Sequence, residues 1–143
     1  MIKSGVYKKG SINFLDVYSE VLSSLPREAG SILSFIGVTR ALGLENKEVK
    51  KLVMESYEDV ANQVINEICR DVERKYKALF VGIYHLVGEF DIGEPLVFVI
   101  VVSKNRKEGF EAIKEAIERY KSEPALWKKE VYINGSYEWI SHA

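Results

Sequence analysis

The side chains best suited to chemistry in this chain are lysines and arginines held close together by the order of its elements. In the segment Tyr120-Lys121-Ser122-Glu123-Pro124-Ala125-Leu126-Trp127-Lys128-Lys129-Glu130 an amphipathic run ends and a β-rich run begins. Lys121 follows Ile117 by four positions and Ile113 by eight, so helical periodicity sets it at the end of the apolar stripe and predicts a half-buried ammonium. Glu123 precedes proline and leaves the helical region. Alternation along the strand that follows sends Lys128 and Lys129 to opposite faces, and only one of them can share a pocket with Lys121. A lysine that is partly desolvated and crowded by other cations gives up its proton more readily, which suits it to acid–base work or to stabilising negative charge. By pattern alone the plainer reading of Lys121 is a helix C-terminal lysine that favours the dipole.

A second cluster, Ser103-Lys104-Asn105-Arg106-Lys107-Glu108, joins an apolar strand to a helix. Asn105 and Glu108 have capping-box spacing, which makes Asn105 an N-cap. The free N–H groups of such a terminus, with the donor fork of Arg106 beside them, form a phosphate site. Arg40, just past the end of another strand, is either a third anion contact or an ordinary surface arginine. Cys69 falls on an apolar helix stripe and reads as core. His85 and His142 have no motif around them and receive no role. The chain shows no glycine-rich nucleotide loop, no Ser-His-Asp order and no paired-carboxylate motif.

The elements that must position these residues can be traced in order. Residues 2–8 suit a short strand. A helix opens at Ser11, with Leu15, Tyr18, Leu22 and Leu25 as its inner face, and stops at Pro26. Ile32–Val38 is short and β-branched, a buried strand, and a mobile loop from Ala41 to Lys51 leads to a strand through Leu52–Met54. Ser56 is placed to cap a long helix whose inner face is Val60, Val64, Ile65, Ile68, Cys69, Val72 and Tyr76. Strands near Phe80–Val87 and Leu96–Val102 follow, the second apolar on both faces and therefore central. A helix over Arg106–Lys121 turns Phe110, Ile113, Ile117 and Tyr120 inward and the Glu111/Lys114 and Glu115/Arg119 pairs to water. Val131–Ile133 and Ser136–Trp139 flank Asn134-Gly135, the dipeptide of a two-residue hairpin turn. The sum is an α+β fold in one domain spanning 1–143, its mixed or antiparallel sheet packed by two long helices and closed by a C-terminal β-hairpin.

Composition excludes several classes of function. In 143 residues, 20 Lys and Arg balance 21 Asp and Glu, so a net charge of −1 offers no general attraction to nucleic acid or anionic membrane. Eight tyrosines near basic strands would suit a single-strand nucleic-acid binder, but no basic stripe accompanies them. The apolar run Pro95–Val102 is far short of the roughly 20 residues that span a bilayer. The N-terminus lacks a signal-peptide core, which points to the cytoplasm. One cysteine cannot form an internal disulfide, and no metal-ligand spacing surrounds it.

Taken together, Ser34-Phe35-Ile36-Gly37-Val38-Thr39-Arg40, Met54-Glu55-Ser56-Tyr57-Glu58, Tyr84-His85-Leu86-Val87-Gly88, Ile92-Gly93-Glu94, Arg106 with Phe110-Glu111-Ala112, and Lys121 with Trp127-Lys128-Lys129-Glu130 resemble the large, catalytic subunit of molybdopterin synthase. The resemblance covers about residues 29–140. Each motif is weak alone; their order and spacing are specific. The family resemblance implies a sulfurtransferase of molybdenum cofactor biosynthesis that converts cyclic pyranopterin monophosphate into the dithiolene of molybdopterin. It implies a partner, a small ubiquitin-like subunit whose C-terminal glycine thiocarboxylate delivers the sulfur. This chain ends Ser141-His142-Ala143 and is not expected to be that carrier. By the same resemblance Lys121 and Lys128 match two catalytic lysines, and Arg40 and Arg106 match basic residues of the substrate pocket. Asn105 stands where many members carry histidine. No cofactor and no metal are implied, because the thiocarboxylate is already activated. Two large subunits at the centre of a heterotetramer are implied as well. The alternative is a non-catalytic or divergent paralogue that docks a ubiquitin-like sulfur carrier without the lysine chemistry.

Overall fold

The computed structural model describes residues 1–140, so His142 lies outside the described residues. In chain order the elements are β1 (Gly5–Lys8), α1 (Phe14–Ser23), β2 (Ser31–Val38), β3 (Val49–Ser56), α2 (Glu58–Tyr76), β4 (Phe80–Asp91), β5 (Pro95–Ser103), α3 (Arg106–Ser122), β6 (Leu126–Tyr132) and β7 (Tyr137–Ile140). Six strands follow the order β2-β5-β4-β3-β6-β7, and β1 adds to the same sheet beside β4. The β1–β4 pairing is parallel and the others are antiparallel. The α+β class, the mixed sheet, the two long helices and the C-terminal hairpin are all as the sequence predicts. No helix among the described residues is long and apolar enough to cross a membrane.

Strand alternation divides the sheet into two unlike faces. On one, Phe98 of β5 meets Phe14 of α1 with ring centroids 5.7 Å apart. On the other, Val97 of β5 and His85 of β4 sit opposite each other in register, under Tyr120 of α3. The helices α2 and α3 are tied by Lys75–Glu115 at 2.6 Å and Arg119–Asp71 at 3.2 Å. Glu115 and Arg119 therefore reach across to a neighbouring helix, where their spacing along α3 predicts a pair facing water.

Several burial patterns differ from expectation, each for a tertiary reason. Asn13 caps α1, its side chain accepting from the Asp16 N–H at 2.9 Å, so the helix starts later than Ser11. Its inner face is Phe14, Val17, Tyr18 and Val21: Val17 is 1% exposed while Leu15 is 76% exposed. Two apolar stripes compete on this short helix, and the sheet takes the one that carries Phe14, Val17 and Val21. The strand β2 is an edge strand, with Ile36 and Val38 exposed, because only β5 pairs with it. Ser56 belongs to β3, where it pairs with Leu126, and Tyr57 takes the cap position of α2 without a side-chain bond. In α2 Val60 is exposed and Ala61 is fully buried. In α3 Phe110 is exposed while Ala112 and Ala116 are fully buried, since alanines let the helix lie close on the sheet.

The hairpin also departs from a two-residue turn. The Tyr132 N–H bonds to the Ser136 carbonyl and the Gly135 N–H to the Tyr132 carbonyl, enclosing three residues. Gly135 sits at φ 87°, the left-handed position such a loop requires. Finally, the segment predicted as a mobile loop is a folded finger. It holds a bridge between Leu42 and Glu48, a short 3-10 turn at Leu44–Asn46, and a Val49 N–H to Ala41 carbonyl bond at 2.8 Å.

Candidate active site

The C-terminal end of α3, the end of β2 and strand β6 enclose a cleft of about 750 Å³. Lys128 enters it from β6, where its backbone pairs with Met54 on one side and Ile140 on the other, and both of those residues line the same cleft. Lys129, one position on, points to the opposite face and lies over the rings of Tyr137 and Trp139 at 5.1 and 5.4 Å. Strand alternation has thus separated the two adjacent lysines. Arg40 and Lys121 complete the basic wall. Lys121 is exposed, not half-buried: it stands in the last turn of α3 beside the buried Tyr120 and lines the same cleft.

The three cations are unequal. Burial of the Lys128 ammonium holds its pKa below the ordinary lysine range; Glu130 acts against that shift, and the charges of Arg40 and Lys121 add to it. A larger fraction of neutral amine at neutral pH follows. Glu130 is buried in the wall of the same cleft, and its Oε1 accepts the Leu44 N–H and the Tyr132 hydroxyl, each at 2.9 Å. The Leu44 bond fastens the 41–49 finger to β6, and the Tyr132 bond steadies the carboxylate that receives it. Gly43 makes the fit: a Cβ there would run into the Glu130 carboxylate. The finger supplies Gly43, Leu44 and Glu45 to the cleft wall.

Arg106 and Asn105 are not brought to these lysines within one chain. They line a separate concavity with Gly30, Ser31 and Lys104 at the opposite end of α3. Fifteen residues of helix separate Arg106 from Lys121, about 22 Å at the α-helical rise. Nor does the capping box form. Asn105 has the cap geometry without a side-chain bond, and Glu108 Oε2 is buried with no partner among the described residues.

Three contributors escape the sequence reading. Glu130 stands two residues from Lys128 on the same strand face, so alternation could have found it. His85, 2% exposed inside an apolar strand, is the buried polar residue that most often carries information, yet nothing local says which cavity it meets. The finger had no local signal, because its anchor lies 86 residues away in Glu130.

The family model described as MoaE protein matches residues 9–123. The molybdopterin synthase catalytic subunit of Bacillus subtilis is 40% identical over 114 residues, covering 80% of this chain and 71% of that protein. The subunit of the same name from Pyrococcus abyssi is 31% identical over 135 residues, covering 94% of this chain and 88% of its own. The crystal structure of molybdopterin synthase from Staphylococcus aureus superposes with a TM-score of 0.86 at 25% identity, over 99% of both chains. With a basic cleft built from the C-terminal end of α3 and strand β6, and with the family model matched across α1 to α3, the chain belongs to the MoaE protein family.

Proposed function

We propose that the chain is the catalytic subunit of a molybdopterin synthase and that the cleft transfers sulfur from a carrier thiocarboxylate to cyclic pyranopterin monophosphate. The observation that carries this reading is the convergence of Lys121, Lys128 and Arg40 on one cleft, with Lys128 half-buried and its pKa depressed. The names of the relatives, catalytic subunits of a synthase, support an enzyme of molybdenum cofactor biosynthesis that works with a second subunit. Each transfer replaces a carbon–oxygen bond of the substrate with a carbon–sulfur bond, the displaced oxygen leaving as water or as the opened phosphate ester. Water then cleaves the acyl–sulfur bond, so that the sulfur stays on the substrate and the carrier leaves as a carboxylate. Lys128, whose pKa burial lowers, moves the proton; Lys121, exposed at the mouth, steadies the negative charge that develops. Arg40 holds the phosphate by charge-assisted hydrogen bonds.

Arg106 fits this reading only through symmetry. A second copy related by a two-fold axis would bring its Asn105–Arg106 end to the first copy's lysines, making the site a shared one in a dimer. The deciding experiment is incubation of the purified protein with a thiocarboxylated small ubiquitin-like subunit and cyclic pyranopterin monophosphate. Dithiolene product is the expected result. Carrier binding without product would instead identify a docking paralogue.

A further inference from the structure

The floor of the cleft holds two polar groups that the sulfur chemistry does not use. His85 is 2% exposed, and its Nδ1 lies 2.9 Å from the Leu86 carbonyl oxygen. A carbonyl has no proton to give, so Nδ1 carries the hydrogen and Nε2 is left with a lone pair. Burial, reinforced by the charge of Lys128, keeps the ring neutral by lowering its pKa to about 4. Tyr120, 4% exposed, meets this ring edge-on with centroids 5.7 Å apart. Among the described residues neither Nε2 nor the Tyr120 hydroxyl has a hydrogen-bond partner, and neither is sealed from solvent, as Glu108 Oε2 is. Among the described residues nothing fills the space in front of either atom, and the space that both residues line is the cleft. Buried polar groups in proteins are nearly always paired, and at the wall of a cavity a ligand can be the missing partner.

We propose that His85 Nε2 and the Tyr120 hydroxyl recognise the nitrogen heterocycle of the substrate, Nε2 accepting from a ring N–H or amino group and the hydroxyl pairing with the adjacent ring nitrogen or carbonyl. The assignment rests on the reading of the cleft as a pterin phosphate site and deepens it. An ionised phosphate only accepts hydrogen bonds and has nothing to offer Nε2. It belongs with the exposed cations Arg40 and Lys121 at the mouth. The substrate then binds in one sense, phosphate outward and heterocycle inward, in the cleft that the half-buried Lys128 also lines.

Two measurements test this on the intact chain. In protein labelled with 15N-histidine, the Nε2 resonance shifts when cyclic pyranopterin monophosphate is added and stays in place with inorganic phosphate. In calorimetric titrations His85→Phe and Tyr120→Phe each weaken pterin binding by about tenfold, the scale of leaving a ligand donor unpaired. Both variants keep the affinity for inorganic phosphate, and His85→Gln, which can still accept, recovers part of the loss. An unmoved Nε2 in protein that binds the pterin, or Phe variants that bind it as tightly as the wild type, overturns the recognition pair alone. Wild-type protein that binds no pterin removes the reading of the cleft and this assignment with it.

Discussion

Lys128 and Lys129 are chemically identical neighbours placed in opposite environments by one step of strand pleat. One is half-buried among cations, and the other lies over two aromatic rings within reach of a cation–π attraction. Lys128→Ala and Lys121→Ala are each expected to slow single-turnover dithiolene formation by about a hundredfold or more, the scale of losing an acid–base or charge-stabilising group. Lys129→Ala is expected to be nearly silent. Equal losses at all three would replace the assigned roles with a diffuse electrostatic patch. His85 gives a second prediction through acid stability. Its folded pKa of about 4 lies below the ordinary 6.5, so the unfolded chain binds a proton that the native state refuses. The stabilisation is complete above pH 6.5 and is lost as pH falls towards 4, by up to about 3 kcal/mol. Denaturation midpoints of the wild type should therefore fall more steeply across that window than those of His85→Phe. Parallel curves would mean that His85 titrates alike in both states.

The helices show how closely each element is fitted to the sheet. The inner face of α1 is the stripe through Val17 and Val21, so Val17→Ala should cost about 1–2 kcal/mol and Leu15→Gln less than about 0.5 kcal/mol in urea denaturation. The reverse order would restore the leucine face to the core. In α3 the fully buried Ala116 sets the approach of helix to sheet, and Ala116→Leu should destabilise by about 1–3 kcal/mol through overpacking. Because Tyr120 lies one turn further along the same helix, that variant should also weaken pterin binding; unchanged affinity would show that the end of α3 is held independently of its middle.

On the scale of the whole molecule, the length of α3 sets the constraint. A rigid helix with Arg106 at one end and Lys121 at the other cannot turn both towards one small ligand. If the site is shared between two copies, a mixture of Arg106→Ala and Lys121→Ala proteins should regain activity. The heterodimer then has one damaged site with both lesions and one intact site. Sedimentation should show a dimer at micromolar concentration. A monomer, or a mixture with no regain, would return Arg106 to an independent surface cluster.

What the sequence determined by itself was whatever depends on local periodicity and local order. The α+β class, the long helix α2, the interior strand β5 and the separation of Lys128 from Lys129 all follow from periods of 3.6 and 2 that neighbouring residues enforce on one another. The choice of inner stripe on α1, the exposed edge at β2 and the anchoring of the 41–49 finger by Glu130 were decided by tertiary structure. So was the meeting of His85 with Tyr120. Each of these depends on which distant surface an element is pressed against, and a helix with two apolar stripes, or a polar residue in an apolar strand, carries no local record of that partner. The sequence could name the basic residues; only the packing of α3 across the sheet could say which of them share a cavity.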